Sequence, residues 1–246
     1  MSADDASTGR FSPGSQAAGA AKRDVFATPW LRAMTALYGL LAATAAFLIA
    51  TLPFAAAVFF APMLAVGGPV LIVLAGFTIG PAWVAALYSM RAYAVQHDIE
   101  PFRLFLRGYR LSWRQTSLFW APYFTLVAVL AFDLTGGGIR GPLFWLLGAL
   151  GFAALLWGST VLVIVAFFSF RLRDVTRLAV YGLVRTPRWI VADAALLLAI
   201  GGLVYVGSEV AAAILVAPAA LLTVYASRPL VRRMTEEFTA TKGVPQ

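Results

Sequence analysis

The sequence predicts a polytopic, all-α membrane protein, and three observations lead there. Hydrophobic residues make up 61% of 246 positions, charged ones only 12%, and the mean hydropathy is +0.83. A soluble domain carries roughly 25% charged residues, because it must cover its surface with polar groups. The apolar residues also gather into long runs, the pattern of helical spans and not of a barrel's alternating strands. Finally, the basic residues cluster in every second loop.

Residues 1–29 are dominated by Ser, Gly, Ala, Asp and Pro and contain no apolar run. That composition predicts a disordered cytoplasmic tail with neither a core nor a signal-peptide segment. Residues 30–234 are expected to form the transmembrane domain and 235–246 a second cytoplasmic tail.

A helix needs about 20 apolar residues to cross ~30 Å of hydrocarbon. Span one runs from Ala33 to Leu52 and should kink at Pro53, with Phe54 to Val66 continuing obliquely to a turn at Gly67-Gly68-Pro69. Span two is Val70 to Met90, with Gly80-Pro81 near its middle, and span three is Gln115 to Leu134. Span four is Pro142 to Phe170, opened by a proline where the helix needs no donor. Trp189 to Val206 is span five, Gly207-Ser208 the turn, and Glu209 to Ala226 span six.

The basic residues set the orientation. Both tails and the loops after spans two and four together hold 18 Lys and Arg, while the three opposite loops hold only Arg140. The alternation has no exception, so both termini are predicted to be cytoplasmic. Trp30, Trp113, Trp120 and Trp189 fall near the expected inner interface and Trp145 and Tyr205 near the outer one, depths that suit amphipathic rings.

Catalysis finds no foothold in the chain. It has no cysteine, so no thiolate nucleophile or thiolate metal site, and the lone His97 excludes a multi-histidine centre. Gly136 to Gly141 matches the dinucleotide-binding pattern G-x-G-x-x-G, but it lies between two spans where that chemistry needs a strand and a following helix. It reads as a turn. No cofactor, metal or nucleic-acid partner is expected. Asparagine is absent and only Lys22 and Lys242 are lysines, which suggests high-G+C bacterial codon usage.

Two polar features remain. In Glu100 to Arg114, Phe102, Phe105, Leu106, Tyr109 and Trp113 share one helical face, and Arg103, Arg107, Arg110 and Arg114 lie beside it. Such a helix is expected to lie in the headgroup plane with its guanidiniums on anionic phosphates, unless the arginines act as topology signals only. Arg103, Gly108 and Arg114 are spaced as Arg177, Gly182 and Arg188 are, which suggests a weak parallel repeat. Asp193, five residues beyond Arg188, is a carboxyl inside a span, where charge is costly and functional roles concentrate. It is either a structural partner of Arg188, Arg114, Ser117 or Tyr88, or a substrate or proton site. Asp133, at the outer end of span three, should meet water or Arg140. Gly148, Gly151, Ala154 and Gly158 form a small-residue stripe suited to close helix approach.

Gly80-Pro81-Ala82, Ala85-Ala86-Leu87-Tyr88, Arg91, then Phe105 to Arg110 and Trp113-Arg114-Gln115 resemble the YesL-like family of bacterial integral membrane proteins, a domain of unknown function. Phe170 to Asp174 and Leu183 to Pro187 resemble that family's second loop. The resemblance covers Thr78 to Arg233 and departs in span one, which lacks the Asn and Trp of many members. Family members often have genes near those for carbohydrate uptake, which implies a non-enzymatic inner-membrane accessory or regulator that works beside a sugar transporter complex. The alternative is a small transporter or permease subunit. The resemblance brings no catalytic residues with it.

Single cysteines introduced into the cysteine-free chain test the topology. Probes at Gly67, Gly137 and Ser208 should be labelled from outside and probes in both tails only after permeabilisation. An externally labelled C-terminus would refute the six-span reading.

Overall fold

The computed structural model describes residues 29–64, 67–96, 101–136, 140–168, 170–206 and 214–238. Its chain divides into two units, Met1–Tyr38 and Gly39–Gln246. Among the described residues, the first unit contains only the opening turns of helix α1 (Pro29–Phe60). The expected N-terminal tail otherwise lies outside the described residues.

Helices account for nearly all of the described residues, and no strand occurs among them. Helix α1 passes through Pro53 without ending and closes in a 3₁₀ turn at Ala61–Met63. The second span is broken into α2 (Gly68–Gly76) and α3 (Ile79–Gln96). Next come α4 (Pro101–Thr135), α5 (Pro142–Phe167), α6 (Leu172–Arg185) and α7 (Pro187–Tyr205). The chain closes with α8 (Val216–Ala226) and α9 (Arg228–Phe238), so the first residues of the expected C-terminal tail are helical.

Five segments are long and apolar enough to cross a membrane: Ala33–Met63, Gly68–Ala94, Pro101–Leu134, Pro142–Phe167 and Pro187–Tyr205. Their outer faces leave large apolar side chains uncovered, among them Leu118, Leu126, Leu146, Val191 and Leu198. So much exposed apolar surface suits lipid contact. The sixth span, expected over Glu209–Ala226, is seen only as the 11 residues of α8. At 1.5 Å per residue that helix is about 16 Å long, and residues 207–213 lie outside the described ones. Contacts at its end still constrain the path. Leu230 and Met234 of α9 pack over Gly182 of α6, Tyr181 donates a hydrogen bond to Glu237, and Arg233 donates to the carbonyl of Arg185. These contacts bring α9 back beside α6, next to where α7 begins.

The arginine-rich segment before span three departs from expectation. It is no separate helix in the headgroup plane: Pro101–Thr135 is one continuous helix of 35 residues, about 52 Å long. Its apolar face packs on α3, with Phe105 buried and Gly108 seated against the Tyr88 ring. The reason is local, since nothing breaks the helix between Trp113 and Gln115. The separate amphipathic helix is α6, on the other loop, where Thr186-Pro187 stops it. Val175, Ala179 and Gly182 face the core there, while Arg173, Arg177 and Arg185 face out. The two arginine loops thus match in spacing and differ in form, one continuous with its span and one broken from it.

Glycine against an aromatic ring is the recurring contact between α2, α3 and α4. Gly76 meets Phe124, Gly80 meets Trp120 and Gly108 meets Tyr88. On α5 the small-residue stripe packs as expected at Gly158, which lies under Tyr123, and at Gly151, which faces Leu130; Gly148 has nothing within 4 Å. Trp189, expected as an interfacial anchor, is instead fully buried, its indole donating to Thr160 at 3.0 Å. Trp120 is likewise packed inside, whereas Trp145 and Tyr205 are exposed as expected.

Gly158→Leu should displace Tyr123 and lower stability by about 1–3 kcal/mol, the usual cost of overpacking. Gly148→Leu should change it by less than about 0.5 kcal/mol. Thermal unfolding of the detergent-solubilised protein measures both, and equal effects would contradict this packing.

Candidate functional site

Asp193 sits in the first half of α7, on the face that continues through Leu196, Leu197 and Ile200. These residues form one wall of a cavity of about 440 Å³. The opposite walls are Phe47 of α1, Trp83 of α3, Trp120 and Tyr123 of α4, Ser159 of α5 and Leu222 of α8. Broken helix geometry shapes one side of it. Pro81 has no N–H, and the chain turns at Phe77-Thr78 so that α3 starts afresh at Ile79, itself a lining residue. The carbonyl of Gly76, freed by that break, accepts the Trp120 indole N–H at 3.0 Å. The break is thus packed at Gly76 by a ring from α4.

The lining is apolar apart from a few groups, most of them committed elsewhere. Tyr123 donates to the carbonyl of Ala154 at 3.0 Å, and Thr223 donates to the carbonyl of Ala219 at 2.8 Å. Asp193 is 3% exposed and accepts a hydrogen bond from Ser159. None of the partners expected from the sequence serves it. Arg114 and Arg188 are exposed, and the Ser117 hydroxyl is buried without a hydrogen-bond partner, as is that of Thr116. Periodicity put Arg188 close along the helix, but its side chain leaves on the outer face while the Asp193 face turns inward.

Arg103, Arg107, Arg110 and Arg114 are all exposed along α4, and Arg188 is exposed near the start of α7. They are not brought together with Asp193. The arginine that does grip the bundle is Arg91, which the sequence offered only as a topology charge. Its guanidinium donates to the Phe167 carbonyl at 3.1 Å and stacks over the Phe167 ring, 4.7 Å from the centroid. Gln115 donates to the Phe170 carbonyl at 2.6 Å. Together they serve carbonyls at and just beyond the α5 C-terminus, where a helix leaves acceptors unpaired. Asp133 is exposed.

The long apolar helices, their uncovered apolar faces and the buried carboxyl define a multi-pass helical membrane protein. Within that class, residues 29–134 match the model of the family described as "Protein of unknown function, DUF624". The match agrees with the YesL-like resemblance and shifts its bounds. It begins at α1, which the resemblance left out, and stops at the end of span three. Asp193 and Ser159 lie outside it. Neither a curated protein nor a solved structure matches the chain.

The structural role of Asp193 is testable by double substitution. Asp193→Ala and Ser159→Ala together should cost less than the sum of the single changes, with a coupling of about 0.5–2 kcal/mol. Asp193→Ala with Arg188→Ala should be additive within about 0.5 kcal/mol. Thermal unfolding of the five variants and the parent decides, and coupling to Arg188 in place of Ser159 would contradict the geometry.

Proposed function

We propose that this is a non-enzymatic protein of the bacterial cytoplasmic membrane that serves as an accessory or regulator of a carbohydrate-uptake system. The observation that carries the reading is the lining of the cavity. Sugars are recognised through many hydroxyl hydrogen bonds, and an unpaired polar group in an apolar site costs about 1–3 kcal/mol. Here the Asp193–Ser159 pair sits among apolar walls, with Tyr123, Thr223 and Trp120 already bound to backbone. Such a cavity is poorly suited to carry sugar, so sugar handling is assigned to a partner. Genomic association through the family resemblance supplies the link to carbohydrate uptake. The exposed Arg103, Arg107, Arg110, Arg114 and Arg188 suit anionic headgroups at the cytoplasmic face, in keeping with a positive-inside orientation.

A small transporter or permease subunit is the second reading. It is favoured by the discontinuous second span, whose break borders the cavity, as at the binding sites of secondary transporters. The Trp120 bond to the Gly76 carbonyl weighs against it, because it occupies the backbone acceptor that a substrate would use.

Affinity purification of the tagged protein from native membranes should recover a sugar permease, and the purified protein alone in proteoliposomes should move no sugar. Sugar flux without a partner would favour the transporter and overturn the accessory reading.

A further inference from the structure

We propose that the cavity beside Asp193 binds a lipophilic organic ammonium, a small amine with an apolar body and one cationic N–H head. The volume, about 440 Å³, falls within the range of sites for small organic molecules. Its polar groups are few and placed together: Asp193 with Ser159 on the facing helix, while Leu196, Leu197 and Ile200 continue the α7 wall in apolar material.

The charge complementarity is specific. A carboxylate offers about four acceptor sites, and Ser159 supplies the one hydrogen bond that Asp193 receives among the described residues. Among the described residues no basic side chain lines the cavity, and Arg114 and Arg188 face outward. A charge held away from water is costly unless it is paired and hydrogen-bonded. A cation arriving with its own apolar body supplies the missing partner and covers the apolar walls in one step. The rings of Trp83 and Trp120 add faces to which an ammonium is attracted. A neutral alkyl chain would leave the carboxylate unpaired, and a sugar would press its hydroxyls against leucine. This inference goes beyond the accessory role and stands or falls separately from it, because it concerns what the purified chain binds and not what it associates with.

The test uses the full chain in phosphatidylcholine nanodiscs, titrated with octylamine and, as its neutral counterpart, octanol. Isothermal calorimetry is the readout, with empty discs subtracted. Octylamine should bind saturably, octanol at least tenfold more weakly, and Asp193→Asn should lower octylamine affinity at least tenfold. Leu196→Trp keeps the carboxyl and fills the space beside it, and should abolish saturable binding; it decides the matter should Asp193→Asn fail to fold by thermal melting. No saturable heat above empty discs, equal binding of octanol, or unchanged octylamine binding in a folded variant would overturn the proposal.

Discussion

Lipid offers no hydrogen bonds, so backbone polar groups that enter the bundle have to be served by the chain itself. Most of the architecture can be traced to that constraint. The turn at Phe77-Thr78 leaves the Gly76 carbonyl open in the middle of a span, and Trp120 reaches across to hold it. The end of α5 leaves carbonyls at Phe167 and Phe170, and Arg91 and Gln115 reach them from two other helices. Tyr123 anchors to Ala154 and Trp189 to Thr160. In each case a long side chain with a polar tip ties one helix to another. These ties fix which helices are neighbours, a choice that apolar packing alone leaves open because lipid tails are as apolar as leucine.

Close approach completes what the ties begin. Tyr123 can reach the Ala154 carbonyl because Gly158, one turn on, has no side chain to hold the ring away. Trp120 reaches Gly76 because Gly80 leaves room beneath the indole. Glycine and aromatic partner thus act as one unit: the small residue sets the distance, and the ring both fills the space and carries the hydrogen bond. Gly108 against Tyr88 extends the same contact towards the arginine-rich end of α4. The small-residue stripe was visible in the sequence, but which rings lie over it was not, since that depends on which helices meet.

Five of the six expected spans were legible because length and hydropathy are properties of single segments. Pairings between segments were not. Arg91 counted as one charge among 18, yet its role comes from a carbonyl 76 residues away. Asp193 was recognisable as a buried carboxyl, and Leu196, Leu197 and Ile200 are on its helical face by spacing alone. Its partner Ser159 depends on α5 lying opposite α7, which no local pattern states. The arginine segment before span three was misread for a different reason. A basic amphipathic pattern fits both an interfacial helix and the packed extension of a span, and the deciding signal was present in the chain. No glycine or proline separates Trp113 from Gln115, so the helix runs on, whereas Pro187 cuts α6 from α7.

The family match and the cavity divide the chain in an informative way. Residues 29–134 supply α1 to α4, and with them the ring-rich wall of Phe47, Trp83, Trp120 and Tyr123. The carboxyl and its hydroxyl come from α7 and α5, beyond the matched segment. Part of this wall is held by ties within the segment, Trp120 to Gly76 and Phe47 edge-on to Trp83 at 6.4 Å, while Tyr123 is tied to Ala154 of α5. An apolar wall of fixed shape admits many bodies that differ by a methylene, because such a difference is worth only ~1–3 kcal/mol. A buried carboxyl discriminates more sharply, since a ligand that fails to satisfy it leaves a charge unpaired. For the proposed ligand, selectivity would therefore rest with Asp193, and general apolar affinity with walls drawn both from the matched helices and from α7 and α8.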